Sequence, residues 1–196
     1  MEKFINDRFC DNIDGSSYPY LHRRLILNTL KYLWEHVETK TENYTMFDEK
    51  KEGDCKEWDE NGQLSYYCVY VDGKREGECK YWDEDGQLEE QCFYVNGKLE
   101  GEYKQWCTNG QMWIQCIYIS GKRNGEYKQW HEDGQLDEQC FYVNGKIEGE
   151  CKYWHENGQL DEQCFYVNGK REGECKIWHE NGQLDEQCFY VNGVKQ

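Results

Sequence analysis

The stretch from Gly173 to Gly193, GECKIWHENGQLDEQCFYVNG, decides the fold. Asn181-Gly182 and Asn192-Gly193 are turn signals, because Asn and Gly most readily take the positive φ that tight turns require. The first turn, His179 to Gly182, joins a short run from Glu174 to Trp178 to a longer one from Gln183 to Val191. Two turns delimit two strands, so the segment reads as one β-hairpin followed by the entry to the next.

The chain repeats this unit. Glycines fall at 53, 77, 101, 125, 149 and 173, then at 62, 86, 110, 134, 158 and 182, and again at 73, 97, 121, 145, 169 and 193, so 18 of the 19 glycines keep a 24-residue period. Six units therefore fill residues 53–196, behind a distinct segment at 1–52. Short turns between all neighbouring strands predict a mostly β fold: a single-layer, twisted antiparallel sheet of stacked β-hairpins, each stabilised by the next. If Trp82 pairs with Gln87 across its turn, alternation places Cys79, Tyr81, Leu88, Cys92 and Tyr94 on one face. Lys80, Trp82, Glu89, Phe93 and Val95 then take the other, with Lys80 and Glu89 as a cross-strand pair.

Composition agrees with an ordered but thin fold. Apolar residues make up 37%, alanine is absent and mean hydropathy is -1.11, yet aromatics reach 16%. Burial must then rest on Tyr, Trp and Phe, which disordered chains lack. The net charge of -16 repels nucleic acid and disfavours anionic membranes, leaving a basic or amphipathic protein as the expected partner. Residues 1–48 carry six Lys/Arg and eight Asp/Glu, so nearly all the excess lies in the repeats. The N-terminus shows no apolar leader and no stretch approaches a membrane span, which predicts a cytoplasmic protein whose twelve cysteines remain thiols.

The order of motifs resembles the MORN repeat. Gly97-Lys98-Leu99-Glu100-Gly101 is followed five residues on by Trp106, then by Asn109-Gly110, and units close on runs such as Tyr142-Val143-Asn144-Gly145-Lys146. The second strand departs from the common pattern, with Cys188 in Glu186-Gln187-Cys188-Phe189-Tyr190 where that family usually has Gly, so the resemblance is to variant repeats. It implies a hairpin solenoid working in assembly, recruitment or membrane tethering. Tandem arrays of this kind also resemble those of large DNA viruses, for which the setting would be host cytoplasm or virion.

Upstream, Ser17 to Val37 reads as an amphipathic helix. Pro19 lies in its first turn, and Leu21, Leu25, Ile26, Leu30, Leu33, Trp34 and Val37 form an apolar stripe. Such a helix either caps the first hairpin or docks on a partner or second copy. Tyr44 to Phe47 reads as the strand of a degenerate half-repeat.

Candidate chemistry is sparse. Cys68, Cys92, Cys116, Cys140, Cys164 and Cys188 form one ladder, and Cys55, Cys79, Cys151 and Cys175 part of another. Equivalent positions two strands apart lie ~9.6 Å from each other, too far for a disulfide or shared zinc, so packing is the expected role. His131, His155 and His179, beside Glu132, Glu156 and Glu180, read as solvated turn residues. Without a nucleophile elbow or phosphate loop, no catalytic, cofactor-binding or metal-binding residue is expected. The expected partner-binding residues are the ladder Trp58, Trp82, Trp106, Trp130, Trp154 and Trp178, flanked by Asp137, Asp161 and Asp185. Function is thus expected to be that of a non-catalytic scaffold, with a peripheral membrane tether as the alternative. An uncovered edge strand at Val194-Lys195-Gln196 would serve pairing with a second copy.

Overall fold

The computed structural model describes residues 34–39 and 41–196. They form one 17-stranded sheet. Its strands are β1 (Trp34–Glu38), β2 (Glu42–Phe47), β3 (Lys50–Trp58), β4 (Leu64–Val71), β5 (Lys74–Trp82), β6 (Leu88–Val95), β7 (Lys98–Leu99), β8 (Gly101–Trp106) and β9 (Met112–Ile119). The sheet continues through β10 (Lys122–Trp130), β11 (Leu136–Val143), β12 (Lys146–Ile147), β13 (Gly149–Trp154), β14 (Leu160–Val167), β15 (Lys170–Trp178), β16 (Leu184–Val191) and β17 (Val194–Lys195). All pairings are antiparallel and join neighbours in sequence, with β7 and β8 sharing β6, and β12 and β13 sharing β11.

Two kinds of turn alternate along the margins. The Asn-Gly turns are two-residue loops with positive φ at both positions, 51° at Asn96 and 77° at Gly97, as a primed hairpin turn requires. The strand after each starts at once, so the first strand of a unit is longer than its expected Glu174–Trp178 span. The opposite turns are longer: Asp83 N–H donates to the Gln87 carbonyl at 2.9 Å, and Gly86 N–H to the Asp83 carbonyl at 3.0 Å. Asp83 Oδ1 also accepts from the N–H groups of Asp85 and Gln87, the side-chain mimic of a turn that suits Asp.

Successive units are tied at the Asn-Gly margin. Gly97 N–H donates to the Arg75 carbonyl at 2.9 Å and Asn96 N–H to Glu76 Oε2 at 2.7 Å, a link between residues 20 apart that recurs from Asp72–Glu52 to Asn192–Glu172.

The register differs from the expected one. Trp82 lies opposite Leu88, not Gln87, and Glu89 is left unpaired in a bulge between Tyr81 and Trp82. Beyond the bulge the strands are displaced by two residues, so Cys79 faces Cys92 and Lys80 faces Gln91. An even displacement preserves which face each of these side chains takes. Lys80 pairs with Glu78 at 2.9 Å, which corrects the Lys80–Glu89 pair.

The N-terminal helix is also corrected where it can be seen. Trp34 to Val37, its expected last turn, lie in β1, paired to β2 with Val37 opposite Tyr44. Thr39 Oγ1 closes the connection by accepting from Glu42 N–H at 2.9 Å. The exposed backbone edge of β2 satisfies a strand here, and an apolar spacing this short fits either structure. The rest of the expected helix, 17–33, lies outside the described residues.

Candidate functional site

The register unites the two cysteine ladders. Across the sheet runs one row, Cys55, Cys68, Cys79, Cys92, Tyr103, Cys116, Tyr127, Cys140, Cys151, Cys164, Cys175 and Cys188, one residue from each long strand in turn. Nine of its cysteines are 0–2% exposed. A single sheet buries them because they are small and lie between larger neighbours: Tyr66, Tyr81 and Tyr153 on one side, Tyr70, Tyr94, Tyr142, Tyr166 and Tyr190 on the other. The tyrosines close over the row and pack against one another, Tyr66 tilted against Tyr81 at 4.8 Å and Tyr127 edge-on to Tyr142 at 5.6 Å. Burial pushes the Cys92 thiol up to about 12, holding it un-ionised.

The expectation that the cysteines remain thiols is corrected for six of them. Cys68–Cys79, Cys140–Cys151 and Cys164–Cys175 are disulfide pairs, with Cα atoms 4.3, 4.4 and 4.3 Å apart. The relevant neighbours stand on adjacent strands, not two strands away. Antiparallel pairing alternates close, non-hydrogen-bonded pairs of about 4.5 Å with wide ones of about 5.5 Å. The wide side of each cysteine in the row faces its own hairpin, and its close side faces the neighbouring unit. Where it meets cysteine the pair is bonded; for Cys92 and Cys116 it meets Tyr103 and Tyr127, and both thiols stay free.

The carboxyls of Glu138 and Glu162 lie 3.2 and 3.3 Å from Cys140 Sγ and Cys164 Sγ, and with Cys151 and Cys175 they place three donor atoms within 4.8 Å. Bonded sulfurs supply no thiolate, so these groups do not fit a metal site and belong to the core.

Cations complete this face. Arg75 stands over Tyr66 and Tyr94, at 5.8 and 5.2 Å, and Arg123 over Tyr127 and Tyr142, at 4.6 and 5.5 Å. Arg171 pairs with Glu162 at 2.5 Å. Equivalent positions 99 and 147 hold Leu and Ile, so cation and aliphatic alternate from Arg75 to Arg171, while Lys51 stands over Tyr44 and Tyr70 before them. The even spacing of aromatics and cations held this clue, but only a register brings Arg75 to Tyr94.

The opposite face is open. Phe93, Ile117, Phe141, Phe165 and Phe189 form a row 42–53% exposed, accompanied by Val71, Val95, Ile119, Val143, Val167 and Val191. Beside it run Glu-Lys-Gln triads: Glu126 accepts from Lys128 at 2.9 Å and from Gln139 at 2.7 Å. Lys128 and Gln139 hold its carboxyl below the usual carboxylate range. These triads neutralise the strand surface, so the acidic excess gathers in the long turns.

Each expected site residue has a place on or beside this face. The six tryptophans of the ladder are all half-buried, closing the strands at the long-turn margin. Asp137, Asp161 and Asp185 lie 3.6, 3.4 and 3.1 Å from Nε2 of His131, His155 and His179. His131 and His155 are not solvated turn residues, because their Nε2 atoms also lie 3.1 and 2.9 Å from the carbonyls of Trp154 and Trp178 in the next unit. Both partners are acceptors, so Nε2 carries the proton. The more exposed row is the phenylalanine and valine one, which the sequence reading passed over.

The sequence profile of the MORN repeat variant matches residues 51–72, 75–96, 123–144, 147–168 and 171–192, over half of the chain. The chain belongs to the MORN repeat variant family. Its MORN units keep the glycines and turns of the repeat while placing cysteine at the centre of the buried face. No curated relative matches. Among solved structures, the chain is similar to Staphylococcus aureus TarM, in a mutant complexed with fondaparinux, alpha-GlcNAc-glycerol and UDP (12% identity, TM-score 0.33, covering 75% of this chain and 27% of that one). A second TarM structure gives 12% identity and a TM-score of 0.32, covering 74% and 26%. The chain thus spans about a quarter of the length of those proteins, and likeness at this level carries no argument.

Proposed function

We propose that this chain is a non-catalytic scaffold that binds a basic or amphipathic protein segment on its open face. MORN repeats typically act as protein- or membrane-binding modules. The observation that carries the choice is the continuous exposed row of Phe93, Ile117, Phe141, Phe165 and Phe189, far more ordered than scattered surface apolar residues. Partner side chains would pack on this row while their cations meet the acidic turns, where Trp and carboxylate stand together. Membrane tethering suits the chain less, because its charge of -16 opposes an anionic leaflet.

Calorimetric titration of the full chain with a basic amphipathic peptide, its acidic counterpart and anionic vesicles tests this. The basic peptide should bind, and the double variant Phe141→Ser with Phe165→Ser should weaken it at least tenfold. Equal affinity for the acidic peptide, or binding to vesicles alone, would overturn the reading.

A further inference from the structure

The six units are not equivalent, and the third alone carries no acid at two positions where every other unit has at least one. Units four to six place a His–Asp pair at the long turn, and the second has Asp83 and Glu89 at the same positions. The third replaces both members, with Cys107 and Trp113. Neither residue can form an ion pair, and an indole ring stands where units four to six hold Asp, 39% exposed.

A groove of about 720 Å³ opens at this point. Trp106, Trp113 and Trp130 line it, with Glu89, Glu132 and Glu156 among its six carboxylates, and no lysine or arginine borders it among the described residues. Asp83 and Asp133 are engaged by their own turns, and Asp137 by Gln129 Nε2 at 2.7 Å and by His131. The three glutamates differ: their carboxylates meet no hydrogen bond or ion pair from the described residues and are exposed.

Aromatic faces and free carboxylates select the occupant. Indole rings attract cations through their quadrupole, and carboxylates need donors as well as charge. A quaternary ammonium has no donors and a lysine ammonium has no plane to stack. A guanidinium has both, five N–H donors in a flat fork. The chain uses the same chemistry on its other face, where Arg123 lies 4.6 Å from the Tyr127 ring.

The geometry points to the groove of the third unit as an arginine-binding site, taking the guanidinium of a basic partner segment against its tryptophans and onto Glu89, Glu132 and Glu156. This rests on the reading of the chain as a protein-binding scaffold and names the side chain that it recognises.

The full chain is titrated by calorimetry with acetyl-Gly-Arg-Gly-Arg-Gly-amide and with its lysine counterpart of equal charge. The arginine peptide should bind, and the lysine peptide should bind about fivefold more weakly. Trp113→Asp installs the residue that three other units carry and adds a negative charge, yet it should weaken the arginine peptide about tenfold, because the ring is lost. Glu132→Gln should weaken it a few-fold at low salt, with an unchanged melting curve confirming the fold of both variants. Equal affinity for the two peptides, or a Trp113→Asp variant that binds like the parent, would overturn the site. If the amphipathic peptide still depends on Phe141 and Phe165 in that case, the scaffold reading stands without the groove. If neither peptide binds, both fall.

Discussion

Treating the reduced chain with oxidised glutathione should link Cys68 to Cys79, Cys140 to Cys151 and Cys164 to Cys175, and no other pair in the row. Each bond removes two protons and two electrons from a thiol pair, which glutathione disulfide takes up as two thiols. The selectivity follows from the backbone: these three are close pairs, whereas Cys55–Cys68, Cys79–Cys92, Cys151–Cys164 and Cys175–Cys188 are the wide pairs of the same strands. Each bond closes a loop between cysteines 11 residues apart, for which loss of unfolded-state entropy gives about 3 kcal/mol. That is roughly 6–12 °C in melting temperature for a chain of this size. Cys164→Ala should therefore lower the melting point by that amount in oxidised protein. In reductant it should cost only about 1 kcal/mol, from the lost buried sulfur. Non-reducing peptide mapping and parallel thermal melts read both effects. A Cys79–Cys92 or Cys151–Cys164 cross-link, or an equal penalty for Cys164→Ala with and without reductant, would refute the close-pair reasoning.

Other perturbations separate the forces along the ribbon. Arg123→Leu should change urea-unfolding stability by less than about 1 kcal/mol, since positions 99 and 147 already carry Leu and Ile, whereas Arg171→Leu should cost about 2 kcal/mol by leaving Glu162 unpaired, and Glu162→Gln should restore most of it. Burial, reinforced by Asp137, raises the carboxyl of Glu138 above its ordinary value, so the folded state holds that proton more tightly than the unfolded chain. The penalty is absent below the unfolded value of 4.5 and grows as pH climbs through the raised folded value. Glu138→Gln should accordingly stabilise the chain at pH 7 and make no difference in acid, as urea melts across that range would show. Gly77→Ala should cost about 1–2 kcal/mol although its Cβ would meet nothing within 4 Å, because the φ of +78° is the whole cost, and Gly77→Asn should cost less in the same assay.

Much of the fold is legible in the chain because repeats write local geometry many times over. Asn96-Gly97 and its counterparts can close only tight turns, and the second glycine ladder marks the opposite margin, so strand number and order follow. The candidate site is less legible. The tryptophan ladder is the most regular large feature, but regularity does not report exposure, and the rings fold in at the margin while Phe141 and Phe165 remain open. Trp113 was visible as an irregularity, though only the groove around it gives that irregularity a use.

The sequence by itself determined a single antiparallel ribbon of six hairpin units, its acidic character and its dependence on aromatic burial. These follow from period, turn chemistry and composition, which act within a few residues of each other. Tertiary structure alone decided the register. A turn one residue longer, which sets Trp82 opposite Leu88, and one unpaired residue at Glu89 together slide the strands by two positions, and that slide makes two cysteine ladders into one row and sets Arg75 between tyrosines from two units. It also decided that Trp34 to Val37 extend the sheet as a strand. The physical reason is the same in each case: a bulge or an edge pairing is settled by backbone hydrogen bonds and packing between strands, and no residue announces that in its own neighbourhood.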